Sequence, residues 1–248
     1  MPKELKMKRP YRNIGFFFLL LLVLVIAGFT PRVPDTPFFG YFSHISQSNP
    51  VPLVIHLHAL AAIAWFTLLS TQPFLVRANR LDLHRLLGKA SIVLVILFFC
   101  TAIQVMKHFY TQNIVQLPRD TVLSSLTQSF TALSLLLVFY SLALLKRRDI
   151  HQHVAFMVAA ALASATPGLA RLGLYVVGGL PGILLILALI YATLIGFMSY
   201  AKIRFHQPIS RSPYLPIIAL FLAANAMDFV GSQTAAWLWL ADKMVTVW

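Results

Sequence analysis

Seven stretches of this chain are apolar for about 20 residues at a time, the length a helix needs to cross the roughly 30 Å hydrocarbon core of a bilayer. They fall at about 14–30, 52–76, 89–108, 122–145, 153–177, 182–200 and 214–240, separated by proline, glycine or clusters of charge. Such a pattern predicts an all-α integral membrane protein, a bundle of about seven transmembrane helices. Composition agrees: 59% of the 248 residues are hydrophobic and 11% charged, against about 25% charged in soluble domains. The division that follows is a basic tail at 1–13, one seven-helix domain at 14–240 and a short external tail at 241–248.

The basic residues give the bundle a direction. Lys3, Lys6, Lys8, Arg9 and Arg12 precede the first span; Arg77, Arg80, Arg85 and Lys89 follow the second. Lys146, Arg147 and Arg148 follow the fourth span, and Lys202, Arg204 and Arg211 follow the sixth. With seven spans all of these share one side, while the other side has Arg32, Lys107, Arg119 and Lys243. The positive-inside rule therefore places the N-terminus in the cytoplasm and the C-terminus outside, in the inner membrane of a cell. The net charge of +13 is spread over these short loops, which argues for a lipid partner and against nucleic acid. The first span, with its basic start and Phe/Leu core, also has the look of a signal sequence. Phe29, Thr30, Pro31 and Arg32 follow it instead of an Ala-x-Ala site, which favours a retained span.

Several local features refine this. The segment at 31–51, with Phe38, Phe39, Tyr41 and Phe42, reads as lying along the outer interface, as does the tryptophan-rich end of the chain. Cys100, the single cysteine, allows no intrachain disulfide and reads as buried packing. Asp82 and Asp149 each follow a basic loop and read as N-caps of the third and fifth helices, an echo that also fits a duplicated helix pair. In the fifth span Ala159 to Ala163, Ser164, Ala165 and Gly168 permit close helix approach, and Pro167 is expected to kink the helix before Arg171.

A resemblance rests on four segments: His56-Leu57-His58 leading to Trp65; Gln72-Pro73-Phe74-Leu75; Leu83-His84-Arg85-Leu86-Leu87-Gly88; and Arg147-Arg148-Asp149-Ile150-His151 leading to Met157. Together they resemble a group of uncharacterised bacterial multipass membrane proteins, over roughly residues 52–175. A basic pair follows the second histidine in that group, where this chain has Gln152-His153. The resemblance implies no activity.

Polar groups inside a membrane are costly and call for a reason. At about 1.5 Å per residue, His58 lies about 9 Å below the outer end of its helix, and Gln104, Gln128 and Arg171 at about 6–10 Å. Asp228 lies about 13 Å below Trp237. His56 and His108 fall just above. Helical spacing groups Thr101, Gln104 and His108; Asn225, Asp228 and Ser232; Ser124, Gln128, Thr131 and Ser134; and His58, Trp65 and Gln72. If these faces turn toward one another they line an outward-opening cavity, with Arg171, Asp228, Gln104, Gln128 and Trp65 binding a ligand. An Arg171–Asp228 ion pair that only sets helix register would explain two of them equally well.

Three functions compete. In the first, His58 with His108, or His56 with His108, binds a b-type haem or a transition metal, Arg171 meets a haem propionate, and His84 with His151 or His153 forms a second, cytoplasmic-side site. In the second, Arg171, Asp228 and His58 serve a small-molecule or proton-coupled carrier. In the third, the polar residues only lock helices in a structural subunit of a membrane complex or a homo-oligomer. A retinal protein is set aside, because Lys243 lies beyond the last span, and no phosphate loop, nucleophile elbow or zincin motif is present.

Overall fold

The computed structural model describes residues 11–30 and 51–246. The outer segment at 31–50, the basic residues from Lys3 to Arg9 and the final Trp248 lie outside the described residues. The described chain is helical without strands, as its apolar blocks demand: each backbone N–H and C=O must be satisfied within its own segment in a lipid environment.

The helices are α1 (Ile14–Phe29), α2 (Leu53–Arg77), α3 (Leu81–Asn113), α4 (Arg119–Ser125), α5 (Thr127–Leu145), α6 (Ile150–Val176), α7 (Gly179–Phe205), α8 (Tyr214–Phe229) and α9 (Ala235–Thr246). Five segments are long and apolar enough to cross a membrane: α2, α3, α4 with α5, α6 and α7. The apolar helices α1 and α8, of 16 residues each, are shorter.

Two expected spans are interrupted. The fourth breaks at Leu126, where Ser125 donates to the Val122 carbonyl (2.7 Å) and Thr127 to the Ser124 carbonyl (2.6 Å), hydroxyl bonds that compete with the helical ladder. The seventh breaks at Val230. A 3-10 turn at Gly231–Gln233 leads to α9, and Thr234 Oγ1 accepts from the Trp237 amide at its start. Trp237 is buried, with Nε1 donating to the Leu123 carbonyl of α4 (3.1 Å), whereas Trp239 is exposed. The chain end therefore packs on α4 through one face.

α6 is the centre of the bundle, between α1, α5 and α7. Its Ala155, Ala159, Ala160, Ala161, Ala163 and Ala165 are fully buried. Small residues bring backbones together: Gly28 of α1 lies against the Gly168 carbonyl, and Gly173 against Gly182 of α7. α6 runs through Pro167 without a break.

Of the two expected caps, Asp149 alone performs. Its Oδ1 accepts from the amides of His151 (2.9 Å) and Gln152 (3.2 Å), and its Oδ2 from the Gln152 side chain (2.9 Å). Partial burial works against its charge, yet these donors together hold its carboxyl below the usual range. Asp82 lies inside the first turn of α3 and pairs with Arg80 at 3.6 Å. Cys100 is exposed on α3, correcting its assignment to packing: its face of the helix looks out of the bundle.

Side-chain contacts define two ends. One gathers Tyr11, the starts of α3 and α6 and the ends of α2, α5 and α7. This is the end that carries Arg77, Arg80, Arg85, Lys146, Arg147, Arg148, Lys202 and Arg204, all exposed.

Candidate functional site

The second helix turns His58, Trp65 and Gln72 into the bundle, spaced by two turns each. His58 Nδ1 lies 3.1 Å from Thr101 Oγ1 of α3, and its ring packs on Phe98 at 4.9 Å. The Thr101 hydroxyl is also within donor range of the Leu97 carbonyl at 2.8 Å and the Phe98 carbonyl at 3.0 Å, which leaves its oxygen a lone pair that a His58 Nδ1–H can meet.

Trp65 is completely buried; its Nε1 donates to Ser164 Oγ of α6 at 3.0 Å. Its ring meets Tyr140 of α5 edge-on at 5.7 Å, and the Tyr140 hydroxyl bonds Ser91 of α3 at 2.7 Å. Because Ser91 donates to the Gly88 carbonyl (2.7 Å), Tyr140 is the donor to Ser91. One turn beyond Gly88, the Gln72 amide bridges α2 to α3. Its nitrogen donates to His84 Nδ1, and its oxygen accepts from the Gly88 amide at 3.1 Å. Residues that carry the resemblance, Gln72, His84 and Gly88, thus meet at one joint.

At the start of α6, His153 Nδ1 donates to the Ala143 carbonyl at 2.8 Å. A carbonyl only accepts, so the His153 proton in this bond sits on Nδ1. His84 is close enough for its charge to interact with that of His153. His151 is engaged elsewhere: its Nδ1 shares a hydrogen bond with the Tyr11 hydroxyl (3.0 Å) and its ring lies 4.7 Å from Phe205. Burial, then Tyr200, pushes the Tyr11 phenol up to about 12, so it stays neutral at physiological pH.

The polar layer near the other end is divided among separate contacts. Asp228 of α8 accepts from Thr131 of α5 at 2.9 Å, and Asn225 donates to the Tyr191 hydroxyl of α7. Arg171 lies with its guanidinium 4.5 Å from the Phe29 ring centre and within electrostatic reach of His58. Arg171 and Asp228 form no ion pair with each other. Gln104 is exposed; Gln128, His56 and His108 are half-buried. A cleft of about 390 Å³ opens beside this end, between Ala27 and Thr30 of α1 and Leu172, Tyr175 and Val176 of α6. Among the described residues no three His, Cys, Asp or Glu side chains converge as a metal site.

Sequence spacing singled out Trp65 and His58 but not Ser91, Tyr140 or Ser164, whose hydroxyls complete the seam. In sequence each is an isolated hydroxyl within an apolar run, and only the pairing of helices shows its partner. Comparison with known proteins finds no matching family model, curated protein or solved structure.

Proposed function

We propose that this chain is a seven-span inner-membrane redox component, cytoplasmic at its N-terminus, in which His58 and His153 ligate a b-type haem or a transition metal near opposite ends of the bundle. One observation carries the reading. Each histidine sets Nδ1 beside an oxygen, Thr101 Oγ1 or the Ala143 carbonyl, that can accept its N–H, the posture of a metal-ligating imidazole anchored by its other nitrogen. A haem would be held by two such imidazoles, whereas a zinc or copper centre would draw on three or four side chains.

At the inner site the companion ligand is His84. Its Nδ1 now accepts from Gln72, so ligation through Nε2 requires the Gln72 amide to turn over and present its oxygen. At the outer site the companion is His108, and Arg171 is the cation for a propionate. Bound haem would supply one-electron chemistry; the chain's own part is to hold the imidazoles and exclude water.

An absorbance spectrum of the purified protein, with metal analysis, tests the reading. A Soret band or a stoichiometric metal supports it. A folded protein without colour or metal, even after reconstitution with hemin, removes it. A carrier is the second reading, favoured by Asp228, a carboxylate on an apolar helix with Thr131 as its hydrogen-bond donor. Proteoliposome uptake that is lost in Asp228→Asn would favour it.

A further inference from the structure

The structure points to a lipid seat on the outward face of α3, and we propose that this face binds an anionic phospholipid, with Arg85 and Lys89 holding its phosphate. At about 100° per residue, Arg85, Lys89, Ile92, Ile96 and Cys100 fall within roughly 80° of one another on the helix. Arg85 and Lys89 are exposed, and so are Ile92 (44%) and Ile96 (56%), flanked by Val93 (61%). Cys100 is exposed on the same face. Two cations thus cap an open apolar stripe, as a headgroup caps an acyl chain.

Charge decides what occupies it. The one carboxylate of α3, Asp82, is paired with Arg80 near its start. The two cations therefore have no free protein counter-charge on their own helix, and an anionic headgroup supplies one. Length agrees as well. Lys107 returns to the same face about 27 Å beyond Lys89, close to the roughly 30 Å thickness of the hydrocarbon core. A second copy of this chain is the poorer occupant. A twofold axis along the membrane normal would set Arg85 and Lys89 against their own copies, like charge on like.

The full chain is reconstituted in nanodiscs with equal phosphatidylglycerol and phosphatidylcholine, re-extracted, and its retained lipid measured by mass spectrometry. Phosphatidylglycerol should be enriched. The double variant R85Q/K89Q should cut the enrichment about 30-fold, whereas R147Q/R148Q, at the same end of the bundle, should leave it in place. Equal retention of both lipids, or enrichment that survives in R85Q/K89Q, overturns the proposal. A second measurement needs no variant: a fluorophore on Cys100 should respond to added phosphatidylglycerol and not to phosphatidylcholine. An equal response to both, or a Cys100–Cys100 disulfide forming readily between copies in the nanodisc, contradicts it.

Discussion

His58 Nδ1 lies 3.1 Å from Thr101 Oγ1 across the α2–α3 interface, and the Thr101 hydroxyl lies within donor range of the Leu97 carbonyl. The threonine oxygen is thereby the acceptor for an Nδ1–H on the histidine, and its methyl group has no part in this. Thr101→Val keeps the shape and removes the acceptor. It is expected to weaken haem or metal binding at His58 by about 10–100-fold, as loss of such supporting partners does. Thr101→Ser restores the acceptor and should recover most of the affinity, measured by hemin or metal titration.

Close approach of α1 to α6 depends on Gly28. A Cβ there would overlap the Gly168 backbone carbonyl, which has no rotamer through which to retreat. Gly28→Ala should destabilise by about 1–3 kcal/mol through overpacking, read as a lower thermal midpoint in detergent. Gly196→Ala on α7 is the control: nothing lies within 4 Å of its Cβ position, and removing backbone freedom there should be neutral or stabilising.

Tyr214 carries an unsatisfied group. The residue is 1% exposed and its hydroxyl has no hydrogen-bond partner among the described residues. Tyr214→Phe removes that desolvated hydroxyl and should stabilise the protein by about 1 kcal/mol. An unchanged or lower thermal midpoint would show that the hydroxyl is used.

The Asp149 cap gives stability a direction with pH. Its carboxyl is more acidic when folded than when unfolded, so its contribution is complete above the ordinary carboxylate range near 4 and is lost as pH falls through the lower folded value. Asp149→Ala should cost about 1 kcal/mol at neutral pH and progressively less below about pH 4. Thermal midpoints of the two proteins at neutral pH and near pH 3 would show the gap closing.

The sequence pattern makes the helices and the shared end of the basic segments legible, because both follow from one-dimensional counts of apolar length and charge. Depth along a helix is also countable, but direction around it is less so. Thr101 and Gln104 differ by only about 60° around α3, yet one meets His58 and the other faces outward. Asp82 and Asp149 follow similar basic loops, but Asp82 lies two residues past the N-cap position and takes Arg80 instead of backbone amides. Asp228 meets Thr131 and not Arg171 because α5 packs on α8, a pairing no local spacing announces. The break at Leu126 arises from several hydroxyls acting together, none decisive alone.

Haem ligation by His58 and by His153 is read most directly in the reduced-minus-oxidised absorbance difference spectrum of the purified protein beside His58→Ala and His153→Ala. The account predicts a haem spectrum in the parent, one component lost in each variant, and both variants still folded. A parent and variants with identical spectra, or a folded parent with none after hemin reconstitution, would contradict it.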